Sequence, residues 1–165
     1  MTFTSFKLLF FKFLYCKMSV LCNQKRRKPA IPGIISMNKP YFLGIDVGST
    51  TVKVAVLDEQ NNLIFSDYER HFANIRETLL DLMMKAYAKT GSIMLHPMIT
   101  GSGGMSISRY IKVPFVQEVI SVSTALSVFA PKTDVAIELG GEDAKIIYFE
   151  NGNVEQSMNG ICAGG

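Results

Sequence analysis

The stretch GIDVGSTTVK, residues 44–53, combines the residue types that hold a phosphorylated ligand. Asp46 precedes a turn at Gly48, three hydroxyl side chains follow, and Lys53 ends the stretch. Backbone N–H groups at such a turn bind phosphate oxygens, and hydroxyls add further donors. A carboxylate repels phosphate but suits bound Mg²⁺, which takes one or two carboxylates together with phosphate. The stretch therefore predicts a phosphate and Mg²⁺ site, although it lacks the GK[ST] ending of a P-loop and the third glycine of a dinucleotide-binding loop.

The same pattern returns later in the chain, in ELGGEDAK. At a shift of 92 residues, four pairs align: Ile45 with Ile137, Asp46 with Glu138, Gly48 with Gly140, and Lys53 with Lys145. An asparagine turn follows each second strand, QNN in the first copy and NGN in the second. One such turn alone is more often a structural hairpin, whereas two copies in register favour phosphate binding. We therefore expect the acidic corners at Asp46 and Glu138 to converge on one magnesium-bound triphosphate.

The remaining patterns predict an alternation of strands and helices. YFLGIDVG, TVKVAVLDE and LIFSDYERH read as a β-meander, and the strands begin again at DVAIEL. NIRETLLDLMMKAYAKTG has helical spacing, with Asn74 as a possible cap and Gly91 as its end. Its predicted apolar stripe consists of positions 75, 79, 80, 82, 83, 86 and 87. HPMITGSGG predicts a short strand, SISRYIKV a short helix, and QEVISVSTALSVFAP a helix ended by Pro131. The glycine cluster TGSGG, residues 100–104, fits a plain strand-to-helix connection and a functional role equally well.

Composition limits the classes of function. With 165 residues, 48% hydrophobic and 19% charged, the chain is long and apolar enough for a core. Residues 1–40 hold eight of the 17 basic residues and no acid, so the body carries nine basic residues against 14 acids, a net charge of −5. An acidic body gives no nucleic-acid footprint. Its one cysteine, Cys162, indicates a reducing, cytoplasmic setting.

Residues 1–40 differ from the rest of the chain. The apolar run SFKLLFFKFLYCKMSVLC is interrupted by three lysines and is too short for a membrane-spanning helix. The basic stretch NQKRRKPAIPG that follows is typical of a linker. A dispensable extension or a mispredicted start ahead of Met37 is the favoured interpretation, and adhesion to a membrane surface is the alternative. The spacing of Cys16 and Cys22 does not match that of metal ligands, and no role is predicted for them.

Four motifs together resemble those of one ATPase family: GIDVGSTTVK, ITGSGG, VAIELGGEDAKIIYF and MNGICAGG. This is the BadF/BadG/BcrA/BcrD family, the activators of 2-hydroxyacyl-CoA dehydratases and the ATPase subunits of benzoyl-CoA reductase. The resemblance implies an α/β fold of the ribonuclease-H-like actin/hexokinase type, a mixed sheet with flanking helices plus the first strands of a second, duplicated lobe. We expect an extension at residues 1–40, a first lobe at 41–131 and the start of a second lobe at 132–165.

The resemblance also implies a function and its residues. It implies an oxygen-sensitive protein that couples hydrolysis of Mg·ATP to electron transfer, with one [4Fe–4S] cluster held at the interface of a homodimer. A low-potential electron would pass to an acyl-CoA dehydratase or reductase. Carried over, the catalytic residues are Asp46, at Mg²⁺, and Glu138, which orders metal-bound water or polarises the attacking water. The residues expected to bind ATP are Gly48, Ser49, Thr50, Thr51, Lys53, Gly140, Gly141 and Asp143. Cys162, in NGICAGG, matches the cysteine that binds the cluster.

Two features depart from the family pattern. Ser121, in EVISVST, stands where smaller members carry a second cluster cysteine, so a dimer would supply two thiolates from Cys162. The chain ends at Gly165, where the family continues into the rest of the second lobe. We therefore expect a truncated product or fragment with weak nucleotide binding, and exposed apolar edge strands at VAIEL and KIIYF. The alternatives are a sugar or acid kinase of the same fold, which NGICAGG disfavours, and a non-catalytic nucleotide- or partner-binding fragment.

Overall fold

The computed structural model describes residues 41–139, 143–150 and 153–161. Its strands are β1 Tyr41–Val47, β2 Thr51–Leu57, β3 Leu63–Arg70, β4 Leu95–Thr100, β5 Val135–Leu139, β6 Asp143–Glu150 and β7 Asn153–Ile161. Its helices are α1 Ile75–Thr90, α2 Gly104–Ile111 and α3 Glu118–Phe129. None of these helices has the length and apolarity needed to cross a membrane. The predictions for residues 1–40, Gly140, Gly141 and Cys162 lie outside the described residues.

The first sheet is mixed, with the strand order β3–β2–β1–β4. β1, β2 and β3 form an antiparallel meander, and β4 lies parallel to β1 on its other edge. A parallel neighbour needs a crossover connection, which α1 provides between β3 and β4. β1 and β2 are mostly buried, in keeping with their near-continuous runs of β-branched and aliphatic residues. The mixed sheet with flanking helices that the resemblance implied is confirmed.

One face of the first sheet lies beneath α1. Val47, Val54 and Ile99 are fully buried there and belong to one cluster with Leu82 and Ala86 of the helix. Partly buried side chains of α2 and of the segment before α3 close the sides of this cluster. The main core therefore lies between α1 and one face of the first sheet, and the other face of that sheet does not contribute to it.

Helix α1 follows the predicted boundaries, but its packed stripe is narrower than predicted. Asn74 makes no side-chain cap, and Thr78 Oγ1 instead donates to the Asn74 carbonyl at 2.9 Å. Gly91 ends the helix with φ +68°, and its N–H donates to Tyr87 O, a left-handed ending that favours glycine. Leu80 and Tyr87 were predicted on the apolar stripe, yet they are 60% and 64% exposed. The buried residues Thr78, Leu82 and Ala86 form one row at i, i+4 spacing. A helix turns about 100° per residue, so Leu80 and Tyr87 lie far around the helix from this row and point away from the sheet.

Helix α3 lies between the two sheets, on the face of the first sheet that α1 does not cover. Ala125 packs on Leu57 of β2. The next residue, Leu126, packs on Ile147 and Phe149 of β6. Side chains alternate along a strand, so Leu57 shares its sheet face with the lysine four residues earlier in β2. The sheet faces that carry Asp46 with Lys53 and Glu138 with Lys145 are therefore the faces that contact α3.

The second sheet, β5–β6–β7, repeats the first hairpin in register. Two features recur at a shift of 92 residues: the cross-strand pair Asp46–Lys53 as Glu138–Lys145, and the bulge at Val56–Leu57 as Tyr148–Phe149. A bulge is a specific feature that bends a strand and re-aims its side chains. The duplication predicted from the sequence thus extends to the irregularities of the backbone.

The exposure of the second sheet was predicted correctly for one strand and wrongly for another. In the described part of the chain, β5 is an edge strand, and Val135, Ile137 and Leu139 are 45%, 61% and 79% exposed. KIIYF is not an edge strand, because β6 is hydrogen-bonded to β5 on one side and to β7 on the other. It also buries Ile147 and Phe149 against α3. Of the two segments predicted as exposed edges, VAIEL is therefore one and KIIYF is not.

Candidate functional site

Asp46 lies near the carboxyl end of β1 and is only 5% exposed. Antiparallel pairing puts Lys53 of β2 directly opposite, and Lys53 Nζ lies 2.8 Å from Asp46 Oδ2. The lysine side chain keeps a quarter of its surface exposed, so the pair opens to solvent on that side. A buried carboxylate is costly without a partner, and the ammonium group supplies one. The acid and the lysine of the predicted motif form one charged corner.

The glycine cluster TGSGG packs against this corner. β4 ends beside β1, with Thr100 next to Asp46 in register. Gly101 has φ +95°, and a Cβ there would lie 2.5 Å from Asp46 Oδ1 and 2.3 Å from Val47 O. The Gly103 N–H donates to the same Val47 carbonyl at 2.9 Å. Only glycine fits at position 101, so the cluster is more than a connection between elements: it shapes the space around the acid.

Thr100 is a site residue that the sequence reasoning missed. It is 4% exposed, and its Oγ1 has no hydrogen-bond partner among the described residues. Because paired residues of neighbouring strands point to the same sheet face, its side chain lies on the face of Asp46. Buried hydroxyls in folded proteins are nearly always bonded. This hydroxyl is therefore free to serve a ligand at the corner, a role that only the register of β4 against β1 reveals.

The turn between β1 and β2 is held by a hydrogen bond within the turn and by a histidine that directly follows β3. The Gly48 N–H donates to Thr51 O at 2.9 Å, so this donor closes the hairpin. It was expected to bind phosphate, and the structure does not present it to a ligand. A Cβ at Gly48 would meet Thr51 O at 3.5 Å, an ordinary contact, so close packing does not explain the glycine. His71, also missed from the sequence, is buried, and its Nδ1 accepts the Ala73 N–H. Its Nε2 then donates to Gly48 O at 3.2 Å and fixes the turn.

Glu138 holds in β5 the position that Asp46 holds in β1, but it is paired differently. Its Oε2 is buried and has no hydrogen-bond partner within the described part of the chain. Burial raises the pKa of Glu138 above its ordinary value, against the opposing charge of Lys145, with Glu118 and Asp46 adding to the rise and Lys53 opposing it. Lys145 forms its ion pair with Glu118 of α3. Burial thus favours the protonated form of the second acid.

The two acidic corners come together although they belong to different sheets. The Glu138 carboxyl lies within electrostatic reach of both Asp46 and Lys53. The half-buried residues Ser49, Thr50 and Thr51 form the turn directly after the first corner. In the second hairpin, Asp143 is the first residue of β6, and Gly140 and Gly141 lie outside the described residues. The described residues therefore bring an acid and a lysine from one hairpin to the acid of the other.

The donors of this site suit a hydrated Mg²⁺ better than a fully ligated ion. Asp46 offers a buried carboxylate, and Glu138 an oxygen with no partner among the described residues. No group of three or more His, Cys, Asp and Glu side chains gathers within the described ranges. Mg²⁺ commonly keeps several waters and adds one or two carboxylates and phosphate oxygens. At this corner it would be held by Asp46 together with waters and a phosphate.

Comparison with known families decides what the duplicated corners belong to. The sequence matches the family model of the BadF/BadG/BcrA/BcrD ATPase family over residues 43–165, more than half of the chain and including both acidic corners. The chain belongs to this family. The resemblance drawn from the four motifs is thereby confirmed.

Relatives of this BadF/BadG/BcrA/BcrD chain include proteins named as activators. An uncharacterized protein of Methanocaldococcus jannaschii is 34% identical over 126 residues, which are 75% of this chain and 50% of the relative. The (R)-2-hydroxyglutaryl-CoA dehydratase activating ATPase of Acidaminococcus fermentans is 28% identical over 129 residues, 76% of this chain and 49% of the relative. The chain spans about half the length of these curated relatives.

A solved structure shares the fold of this family member. The activator of the 2-hydroxyisocaproyl-CoA dehydratase from Clostridium difficile, with bound ADPNP, superposes with a TM-score of 0.63 at 23% identity. The alignment covers 74% of this chain and 46% of that one. At this level of identity the likeness is one of fold, and it agrees with the mixed sheet and flanking helices described above.

The cysteines of this family member lie outside the described residues, at positions 16, 22 and 162. Ser121, which the resemblance aligned with a second cluster cysteine, lies in α3 and is 6% exposed. Its Oγ donates to Gln117 O at 3.2 Å, so the hydroxyl serves the first turn of the helix. Iron–sulfur clusters are held by thiolates, and Ser121 supplies none. The described residues alone therefore do not fit a cluster, and its only candidate ligand in the body of the chain is Cys162.

Proposed function

We propose that this chain is the nucleotide-binding part of an ATP-hydrolysing activator, which passes a low-potential electron from a [4Fe–4S] cluster to an acyl-CoA dehydratase or reductase. Family membership and the names of its relatives support the proposal. The observation that carries it is the approach of Glu138 to Asp46 and Lys53 between two duplicated hairpins. In this proposal residues 41–131 form the first ATPase lobe, residues 132–165 begin the second, and residues 1–40 are an extension.

Each residue has a proposed task toward Mg·ATP. Asp46 would hold the hydrated metal ion, with Lys53 balancing its charge at 2.8 Å. Glu138, whose pKa is raised by burial, would order or polarise the attacking water and take its proton, because a base works best when its pKa lies near the working pH. The groups proposed around the phosphates are Ser49, Thr50, Thr51, Gly140, Gly141 and Asp143, while Gly48, whose N–H is used within the hairpin, would contribute only the absence of a side chain at the turn. To these the structure adds the unpartnered hydroxyl of Thr100 as a candidate.

The cluster part of the proposal depends on Cys162. In a homodimer, one Cys162 thiolate from each subunit would bind a shared [4Fe–4S] cluster, which supplies the low-potential electron when bound. Ser121 contributes no thiolate, so other ligands would have to complete the set. The acceptor would be the dehydratase or reductase component of an acyl-CoA enzyme, as the names of the relatives suggest.

The experiment that tests the proposal titrates the anaerobically purified chain with Mg·ADPNP in a calorimeter. We expect weak binding that requires Mg²⁺ and that Asp46→Asn weakens about tenfold or more, because the carboxylate toward the metal is lost. Asp81→Asn, an exposed acid of α1, is the matched control and should bind as the wild type does. Binding that is equally strong without Mg²⁺, or unchanged in Asp46→Asn, would contradict the proposed site.

The same preparation tests the cluster. After anaerobic reconstitution with iron and sulfide, we expect iron–sulfur absorbance in the wild-type chain and its loss in Cys162→Ser. Nucleotide binding should be the same in both proteins, since Cys162 lies outside the phosphate motifs. Protein that binds Mg·ADPNP but takes up no iron would retain the nucleotide site and refute the electron-transfer part.

A further inference from the structure

The lysines of the two hairpins bind different partners. In the first hairpin, Lys53 Nζ pairs with Asp46 Oδ2 at 2.8 Å, within the same hairpin. In the second, Lys145 stands opposite Glu138 in the strand register, yet its ion pair is with Glu118 of α3. The side chains of Lys145 and Glu118 are only 11% and 21% exposed, so this pair is largely removed from solvent. A helix residue thus forms the ion pair that the duplication would predict for Glu138, while the charge of Lys145 still acts on Glu138 from across the strand pair.

Helix α3 holds Glu118 in a fixed place. Glu118 is the first residue of the helix, where the helix dipole favours a negative charge. The first turn is closed by Ser121, whose N–H and Oγ donate to Gln117 O at 3.0 and 3.2 Å. Val119, the next residue, packs with Leu126 against the second sheet. The carboxylate that faces Lys145 is thus anchored by both backbone and packing.

The pairing of Lys145 with Glu118 changes the surroundings of Glu138. The charged groups that face it are Lys145 of β6, Glu118 of α3, Asp46 of β1 and Lys53 of β2. Its Oε2 is buried and, among the described residues, has no hydrogen-bond partner. Buried polar atoms without a partner are rare in folded proteins, and each one needs a reason. Here the reason lies in the pairing of Lys145 with α3.

We propose that Glu118 is a positioning residue of the nucleotide site, which holds the Lys145 ammonium on α3 and so leaves a buried oxygen of Glu138 without a partner among the described residues, as an acceptor for a bound ligand or its water. This inference rests on the proposed nucleotide site and adds a residue outside its phosphate loops. The two acids then have different tasks. Asp46 is paired with Lys53 in its own hairpin, whereas Glu138 has a buried oxygen without a partner among the described residues and is left able to accept a proton.

A purely structural reading of the same ion pair makes a different prediction. If Glu118 and Lys145 only tie α3 to the second sheet, removing the charge of Glu118 lowers stability, and the pKa of Glu138 falls only through the loss of that nearby negative charge. If Glu118 positions Lys145, the freed ammonium turns to Glu138, its cross-strand neighbour. Glu118→Gln, made with and without Lys145, separates the two readings, because glutamine keeps the size and the acceptor oxygen of the side chain but not its charge.

The test is an NMR titration of the chain labelled with ¹³C at the glutamate carboxyl carbons, without nucleotide. We expect the pKa of Glu138 to fall by about one unit or more in Glu118→Gln, as is usual when an opposite charge comes close. It should be unchanged in Glu77→Gln, the matched acid in the first turn of α1. An unchanged Glu138 titration in Glu118→Gln would overturn the proposal.

Removing the negative charge of Glu118 lowers the pKa of Glu138 even if Lys145 does not move, so a double-mutant cycle is needed. In the background of Lys145→Gln, the shift caused by Glu118→Gln should shrink to less than half. A shift of the same size in both backgrounds would show that Lys145 is not the intermediary and would refute the positioning role.

A measurement on the wild-type chain covers the case in which Glu118→Gln does not fold. The ¹⁵N shift of the Lys145 ammonium should follow the titration of Glu118 and not that of Glu138. The opposite result would overturn the proposal without any variant. Because neither measurement uses nucleotide, a failure to bind Mg·ADPNP would count against the proposed function and leave this test intact.

Discussion

The two hairpins share one backbone plan but lie in different surroundings. Their register and bulge match at a shift of 92 residues. We call the face of each hairpin that points away from α3 its outward face. In the first hairpin it carries Leu43, Ile45 and Val47, each at most 4% exposed. In the second it carries Val135, Ile137 and Leu139, exposed at 45% to 79%. In the first hairpin α1 covers this face and β4 occupies the edge. The difference therefore lies in the neighbours and not in the hairpin.

The inward faces differ in their charges. Both face α3, but the first has an ion pair between its own acid and lysine, while the second gives its lysine to the helix. The first corner is also lined by the turn after β4, where Gly101 approaches Asp46. A duplicated sequence thus repeats a backbone and its register, whereas the partners of each side chain depend on what packs against that copy. Three pairs of substitutions test this conclusion.

The largest effect is expected at the turn that lines the first corner. Gly101→Ala would combine a φ of +95° with a Cβ 2.3 Å from Val47 O, and we expect a loss of about 3 kcal/mol or more in the free energy of unfolding. Gly91→Ala is the control without a steric clash, with φ +68° and nothing within 4 Å of the added Cβ, and should cost only its backbone strain, about 1–2 kcal/mol. Urea unfolding measures both. Equal losses would show that the close approach to Asp46 is not rigid.

The next effect compares equivalent positions on the outward faces. Ile45→Ala should cost about 3 kcal/mol, because a side chain 4% exposed leaves a cavity beneath α1. Ile137→Ala, at the same place in the second hairpin, is 61% exposed and should cost less than about 0.5 kcal/mol. Urea unfolding of the two variants at the same protein concentration gives the comparison. A large cost at Ile137 that grows with protein concentration would mean that another chain covers β5 in solution.

Much of the fold followed from the sequence because its signals were local. The alternation in β1 and β2, the helical spacing of α1 and the ending at Gly91 are each set within a few residues. The duplication could also be predicted, since Asp46 and Glu138 lie in two similar sequence segments that are 92 residues apart. Such features need no knowledge of what packs against them.

The rest depended on contacts between distant segments. KIIYF looked like an exposed edge because its partner β7 and the covering helix α3 come from other parts of the chain. His71 and Thr100 carry no motif of their own, and each becomes a site residue only through its distance to Gly48 or its register beside Asp46. The pairing of Lys145 with Glu118 joins residues 27 apart in the sequence, and the repeat pointed to Glu138 instead.

The smallest and sharpest comparison replaces the two equivalent acids by their amides. Asp46→Asn breaks a pair with Lys53 that is buried on the side of the acid, and we expect a loss of about 1–2 kcal/mol, since Lys53 is a quarter exposed and partly screened. Glu138→Gln removes a carboxyl whose buried oxygen has no partner among the described residues, and we expect a gain of about 1 kcal/mol at pH 7. The same substitution at the same backbone position should therefore act with opposite signs.

The pH dependence identifies the cause of that gain. Burial raises the pKa of Glu138 above its ordinary value of 4.5, so between that value and the folded one the native state binds more protons than the unfolded chain. Stability is then lost as pH rises through this interval, and Glu138→Gln removes the loss. Thermal unfolding should show a higher Tm than the wild type at pH 7 and no difference at pH 4. A gain that is equal at both pH values would be due to packing alone, whereas a gain confined to pH 7 would show that the burial of the ionised carboxyl is what costs stability.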